Sequence, residues 1–364
     1  MEAKKIAFFL PNMRGGGAER VALLLADQFI KNGLDVYFIL MQESGELLSI
    51  LNPKCKIISL NKVRMRFVYF DLVNSLRTNS IDVLISFMWP LTVIAPMVKI
   101  FIKDIKVIVG EQAVISEQYK GILQSLILKL SSFCSYRIAD ALIACSHGVK
   151  LDMAYLSCIK KTRINLIYNP AKLNESNKIP SYLMSEVEHS WRVPKGCRFI
   201  SVGGLKYQKN HELLVRAFAR AAIDNSELKI VGSGELYHPL IELIDELRVA
   251  NRIELVGFKL DPTPYYATAD IFVLTSRYEG FALVIVEALA AGLEVISVDC
   301  PSGPAEILEA GMFGAIINNH DEGLLAQKLV EFAKSPKSNR DRNIGRSLDF
   351  SPEKIAKQYI NLFQ

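Results

Sequence analysis

Two consecutive α/β domains, each a doubly wound parallel sheet of Rossmann-like kind, are what this sequence predicts, and three observations carry the prediction. Short apolar runs alternate with amphipathic stretches along the whole chain, as where Ile6–Leu10 is followed by Val21, Leu24, Leu25 and Phe29 at helical spacing. At 364 residues the chain is too long for one ordinary core and fits two. Between the two series of runs lies a segment, Asn169 to Pro194, that carries Pro170, Asn174, Ser176, Asn177, Pro180 and Pro194 and few apolar runs.

Taken in order, Ile6–Leu10 reads as the first strand, Gly15–Gly17 as a glycine loop, and the helix that follows closes at Gly33. Strands are expected at Val36–Leu40, Lys56–Leu60, Val83–Phe87, Val107–Val109 and Ala141–Ala144, with Arg163–Tyr168 the last of this half. The second series opens with strand Arg198–Val202, helix His211–Ala222, strand Leu228–Val231 and helix Tyr237–Ala250. Strands Arg252–Val256 and Ile271–Thr275, helix Ala282–Ala291 and strand Glu294–Val298 complete it. The domains therefore span 1–170 and 171–350, joined by an irregular connection at 169–194. The remaining 351–364 places Ile355, Tyr359 and Leu362 at helical spacing, so a final helix is expected to pack back on the first domain.

Composition narrows the function. Half of the residues are apolar and 22% are charged, which is globular rather than disordered. A net charge of +5, spread along the chain, falls short of a nucleic-acid footprint but suits anionic substrates or an anionic membrane surface. Six scattered cysteines without a C-x-x-C pair read as reduced thiols of a cytoplasmic protein. The N-terminal apolar run is too short for a signal peptide, and no stretch reaches the ~18 apolar residues of a membrane span. Contact with the inner face of the cytoplasmic membrane is compatible with this; crossing it is not. No acidic pair stands at metal-binding spacing, since Asp261 precedes Pro262 and Asp82 and Asp104 are isolated. Chemistry without a metal or other cofactor is expected.

The run Ser276–Gly292 holds the strongest local signal. A strand ends at Thr275, a glycine turn follows, and a helix begins near Ala282, which is where open α/β sheets bind ligands. The unpaired N–H groups and dipole of that helix start attract phosphate. Glu279 lies in the turn and Glu287 about one and a half turns into the helix, placed to accept hydrogen bonds from paired sugar hydroxyls. The bland alternative is a turn glutamate and a solvated helix glutamate. Against it, the helix around Glu287 is apolar (Leu283, Val284, Ile285, Val286, Ala288, Leu289), and a carboxylate in that setting requires partners.

These residues resemble the E-x7-E signature of retaining glycosyltransferase family 4, of the type that builds bacterial polysaccharides and glycans. The resemblance extends through Asp299–Leu308, Gly15-Gly-Gly-Ala-Glu-Arg20, Gly203-Gly-Leu-Lys-Tyr-Gln-Lys209-Asn210, Val231-Gly-Ser-Gly234 and Val256-Gly-Phe258, in the family's order and over nearly the whole chain. It implies the GT-B fold, two Rossmann-like domains with parallel sheets facing across a cleft. It also implies transfer of a hexose or N-acetylhexosamine from a nucleoside-diphosphate sugar, UDP-linked, to a hydroxyl of a glycan or lipid-linked glycan. Glu279 would bind the donor sugar, and the backbone of Gly280, Phe281, Ala282 and Leu283 would meet sugar and phosphate. Glu287 would take the ribose, Lys209 would neutralise the departing diphosphate, and the Gly15, Gly16 and Gly17 loop would close over it. Glycines let backbone approach phosphate with no side chain intervening. A lysine at a helix start is otherwise electrostatically poor, so an anionic ligand explains Lys209 better than a solvated surface does.

The chain departs from the family in three places. Gly204 stands where Arg is usual, so Lys206 is the remaining candidate for that cationic role. Glu294 replaces a usual Pro. The first-domain loop Val109-Gly-Glu111-Gln112 has no His, and either Glu111, as a catalytic group, or Gln112 takes its place; a plain loop carboxylate is the other reading of Glu111. His147 and His211 read as structural. On the acceptor side, Trp89 and Gln112 are expected to line the acceptor site. The stretch Lys62–Phe70 interleaves three cations with apolar groups, and Gly121–Phe133 is apolar on more than one face. Both are expected to dock on an anionic bilayer, unless 121–133 is a buried core helix.

A dehydrogenase is disfavoured because Arg20 replaces the third glycine of G-x-G-x-x-G and no acidic residue closes the second strand. A sugar-nucleotide epimerase or phosphorylase of the same architecture, and a non-catalytic binder of nucleotide sugars, remain as alternatives.

Overall fold

The computed structural model describes residues 3–173, 179–195, 197–318, 320–334 and 339–363. The chain forms two compact units, one of residues 1–170 with 351–364 and one of residues 171–350.

In the first unit β1 (Lys5–Leu10), α1 (Gly17–Lys31), β2 (Asp35–Leu40), β3 (Lys56–Ser59) and α2 (Tyr69–Thr78) come first. Then follow β4 (Val83–Phe87), α3 (Leu91–Met97), β5 (Lys106–Glu111), α4 (Ile115–Gln118) and α5 (Ile122–Ser135). β6 (Ala141–Ala144), α6 (His147–Ser157) and β7 (Ile164–Leu166) complete the series. The seven strands order as β3-β2-β1-β4-β5-β6-β7, every pairing parallel. Helices cover both faces, so the central strands are buried on both sides rather than alternating, whereas the edge strands β3 and β7 are partly exposed. Ala7 and Phe9 of β1 point into a cluster with α2 and α3, whereas Phe8 stacks on Phe29 of α1.

The second unit begins with α7 (Ser181–Ser190), β8 (Arg198–Val202), α8 (His211–Ala221), β9 (Glu227–Val231) and α9 (Tyr237–Glu246). It continues with β10 (Ile253–Gly257), α10 (Thr263–Thr268), β11 (Ile271–Leu274), α11 (Leu283–Ala290) and β12 (Glu294–Val298). α12 (Pro304–Ile307), β13 (Ala315–Ile317), α13 (Glu322–Lys334) and α14 (Arg340–Ser347) close it. Its six strands are all parallel in the order β10-β9-β8-β11-β12-β13. Phe199, Leu228, Ile230, Val273 and Ile296 from the sheet meet Leu214, Phe218 and Leu329 from α8 and α13. The last helix, α15 (Pro352–Asn361), belongs to the first unit: Tyr359 and Phe363 place their rings 6.5 and 5.2 Å from Phe29.

Two elements differ from the sequence reading. The stretch taken as irregular between 169 and 194 contains α7, whose polar sequence buries only Val187; Asn174, Ser176 and Asn177 lie outside the described residues. α7 is secured at its end by Trp191, whose Nε1 donates to Thr268 Oγ1 at 3.0 Å, and by Glu188, which pairs with Arg198 at 2.7 Å. Beside them Lys229 is wholly buried, paired with Glu227 and Glu254 and donating to the Ser190 carbonyl at 3.2 Å. A buried ammonium without such partners would be strongly destabilising. The second element is β13, a sixth strand of three residues and too short to show any periodicity.

Helix α5 settles the alternative left open for 121–133. Only Leu128, Ser132 and Ser135 are buried, so it is no core helix.

Candidate active site

In each unit the strand order reverses beside its first strand, at β1/β4 and at β8/β11, and the carboxyl edge at such a point is where open α/β sheets hold ligands. In the second unit two loops meet there, 203–210 after β8 and 275–282 after β11. They are tied together along their length. The Arg277 N–H donates to the Gln208 carbonyl at 2.8 Å, and Gln208 Nε2 returns a bond to the Tyr278 carbonyl at 3.0 Å. Thr275 Oγ1 donates to the Lys209 carbonyl, and Arg277 Nη2 to Asn210 Oδ1.

Within this frame Lys209 Nζ stands 2.6 Å from Glu279 Oε1, and Ser276 Oγ donates to the same oxygen at 2.6 Å. Both partners are largely buried, where screening by water is weak and charge-assisted bonds are strong. A Cβ on Gly203 would lie 3.1 Å from Lys209 Cε, and one on Gly204 3.2 Å from Lys206 Cε. Each lysine stem thus lies over a bare glycine, and Lys206 fills the space beside the position where an Arg was missed.

The turn before α11 is equally constrained. The helix expected from Ala282 starts at Leu283, because Ala282 itself takes the left-handed conformation at φ +63°. A side chain larger than Ala is poorly tolerated in that region, and strain of this kind gathers at ligand sites. Phe281 is buried with its ring edge-on to Phe350, so its side chain faces the core of the unit. The Gly280 carbonyl accepts from Ser302 Oγ at 2.9 Å, and Gly303, at φ +94°, lies so near that a Cβ would stand 2.6 Å from the Phe281 oxygen. The loop after β12 therefore clamps the turn from below. The first N–H groups of α11 have no intrahelical acceptor. Glu287 emerges half-buried from this apolar helix, and the Tyr266 hydroxyl donates to its Oε2 at 3.0 Å.

Sequence reasoning assigned no role to Tyr266, Ser276, Ser302 or His320. A buried tyrosine needs a partner for its hydroxyl, but the burial of Tyr266 is not legible in the sequence. His320 follows the unread β13; its Nε2 lies 3.1 Å from the Ser276 carbonyl and, facing a pure acceptor, carries the hydrogen. His211 is buried, and burial first, then the Lys209 charge, lower its pKa to about 3, so it is a neutral packing group.

The first unit contributes its own carboxyl edge. Gly16 is the N-cap of α1, and a Cβ there would collide with the Glu19 carboxylate at 2.3 Å. Gly15 and Gly17 flank it. Trp89, after β4, packs its ring 4.8 Å from that of Tyr119. Gln112 Oε1 accepts from Asn169 Nδ2 at 2.6 Å. Three shielded atoms, Trp89 Nε1, Gln112 Nε2 and Asn169 Oδ1, have no hydrogen-bond partner among the described residues.

Glu111 departs from its expected catalytic role. Its carboxyl points into the unit and accepts the hydroxyl of Tyr136 from the end of α5. Burial pushes its pKa up to about 7. Glu111 is the last residue of β5, and a carboxyl buried there on an internal tyrosine fits neither a catalytic group nor a plain loop carboxylate; it is a buried structural group. His147, the first residue of α6, is exposed, with the helix capped by Ser146.

Known proteins match this geometry from end to end. The family described as Glycosyltransferase Family 4 matches residues 15–175, and the one described as Glycosyl transferases group 1 matches 190–346. An N-acetylgalactosamine-N,N'-diacetylbacillosaminyl-diphospho-undecaprenol 4-alpha-N-acetylgalactosaminyltransferase of Campylobacter jejuni is 29% identical over 98% of both chains. An amylovoran biosynthesis glycosyltransferase of Erwinia amylovora is 25% identical over 95% of both. The crystal structure of Anabaena HepE with UDP and glucose superposes with a TM-score of 0.83 over 98% of each chain, at 18% identity. Two parallel Rossmann-like units, the tied loops at the second unit's switch point and these matches together identify the chain as a family 4-like glycosyltransferase with the GT-B fold.

Proposed function

We propose that the chain transfers a hexose or N-acetylhexosamine from a UDP-sugar to a hydroxyl of a glycan or lipid-linked glycan, with retention of anomeric configuration. The observation that carries this reading is the Lys209–Glu279 pair, a cation and a carboxylate fixed 2.6 Å apart in the turn that leads into α11. Support comes from the Campylobacter relative, whose acceptor is named as undecaprenol-linked, and from HepE, crystallised with UDP and glucose.

In this reading Glu279 accepts hydroxyls of the donor sugar, with Lys209 and Ser276 holding its other oxygen. The amides of Gly280, Phe281, Ala282 and Leu283 meet sugar and phosphate. Glu287, oriented by Tyr266, takes the ribose. As the glycosidic bond to phosphate breaks, charge grows on the diphosphate and is met by Lys209, Lys206 and the helix start, a preorganised arrangement that needs no reorganisation in the transition state. A metal ion is not required in this scheme. Trp89 and Gln112, at the carboxyl edge of the first unit, line the acceptor site.

Thermal stabilisation and turnover with UDP-, GDP- and ADP-sugars test the proposal, since a ligand at 100 times its Kd adds about 2.7 kcal/mol to apparent stability. UDP-sugars should stabilise the wild type, and Glu279→Gln and Glu287→Gln should lose the effect. Unaltered uptake and turnover in both variants would remove the site assignment. Binding without turnover would favour the non-catalytic reading, and loss of activity in chelator restored by Mg²⁺ or Mn²⁺ would remove metal independence.

A further inference from the structure

We propose that α5, with the adjoining exposed face of α6, is a docking surface for an anionic phospholipid bilayer. Ile122 is 93% exposed and Leu123 70%, and Leu126, Ile127, Leu130 and Phe133 are exposed as well. A helix that turns its large apolar side chains outward carries a face that water penalises and a partner must cover. On α6 the surface continues with Leu151 and Tyr155, also exposed.

Charge identifies the partner. From Glu117 to Arg163 the sequence has seven Lys or Arg against two Asp and Glu117, which pairs with Lys120 at 2.9 Å. Both Asp are engaged within the unit: Asp140 by Lys99 and the Val107 N–H, and buried Asp152 by the Ile115 and Ser116 N–H groups. Two of the cations lie against rings of this surface. Arg137 places its guanidinium 3.6 Å from the Phe133 ring centre, and Lys129 Nζ lies 4.4 Å from that of Tyr155. Apolar groups edged by long cationic side chains match an acyl boundary edged by phosphates. A second copy of the chain would bring this cationic rim against itself and is disfavoured.

Topology adds a second contact of the same kind. Right-handed crossovers put α2, α3, α5 and α6 on one face of the sheet, and α2 and α3 do share one apolar cluster there. Just before α2, exposed Val63 and Phe67 stand beside Arg64 and Arg66, whose guanidinium lies 4.8 Å from the Phe67 ring centre, and Phe70 is exposed too. The helix axis lies in the headgroup plane, since α5 at about 1.5 Å per residue is too short to cross.

The experiment is vesicle flotation of the full chain with phosphatidylcholine:phosphatidylglycerol (7:3) and with phosphatidylcholine alone, at low and high salt. The wild type should float with anionic vesicles, less in high salt, and Ile122→Ser/Leu126→Ser should reduce the bound fraction at least tenfold. The replaced side chains are exposed, so melting temperature and UDP-sugar turnover with a soluble acceptor should not change. Equal flotation of wild type and variant, absence of flotation with anionic vesicles, or a wild-type dimer by light scattering that the variant abolishes would each overturn the proposal. It stands apart from the transferase reading: a chain that floats but turns over no sugar nucleotide would sink only that reading.

Discussion

The two carboxyl edges are built on the same architecture and are finished differently. At the β8/β11 edge, loops 203–210 and 275–282 are bonded to each other, and both key carboxylates are held, Glu279 by Lys209 and Ser276 and Glu287 by Tyr266. At the carboxyl edge of the first unit, Trp89 Nε1, Gln112 Nε2 and Asn169 Oδ1 are shielded and have no hydrogen-bond partner among the described residues. The second unit's edge has its charges paired; the first unit's edge leaves buried polar atoms unmatched.

The comparison breaks most visibly at Lys209. Lys209→Ala leaves Glu279 without its cation and should lower kcat by about 10²–10³, the cost of removing one preorganised electrostatic group. Steady-state kinetics with saturating UDP-sugar measure it, and a change of less than threefold would mean that leaving-group charge rests elsewhere.

Glu111 separates a structural carboxylate from a catalytic one. Its folded pKa, about 7, exceeds the 4.5 of an unperturbed carboxyl. The stability tied to its proton is therefore whole below pH 4.5 and is lost as pH rises through 7, about 3 kcal/mol in all. Glu111→Gln keeps an acceptor for Tyr136 and carries no such slope. Urea unfolding at pH 5 and pH 8 should show the variant gaining on the wild type at the higher pH, with kcat within a few-fold. Parallel pH profiles, or a kcat lowered a thousandfold, would return Glu111 to the reacting centre.

The smallest effects sharpen the division of labour. Tyr266→Phe removes one hydrogen bond to Glu287 and should raise donor KM about five- to tenfold, while Gln112→Ala should raise acceptor KM by a similar factor. Neither should affect the other substrate, and the two KM values measured in each variant decide it.

Much of this was legible in the residues. Alternating apolar runs located the sheet strands except β13, and the glycine turn before an apolar helix marked the carboxyl edge of the second sheet. Glu287 was recognisable as partnered because its helix is apolar, yet its partner Tyr266 lies on another element. Periodicity could not tell whether α5 is buried or exposed, since an apolar helix has the same pattern in a core and at a bilayer. Glu111 could not be placed either, as Tyr136 comes from the far end of a helix.

Local order in the chain was enough to determine the two parallel sheets, their carboxyl edges and the pair of glutamates, because backbone geometry and side-chain period are properties of neighbours in sequence. Tertiary structure alone decided which charges meet. Lys209 and Glu279 are 70 positions apart, and only the reversal of strand order at β8/β11 brings their loops together. Electrostatics at a site depends on distance and burial, and neither is written in the order of residues.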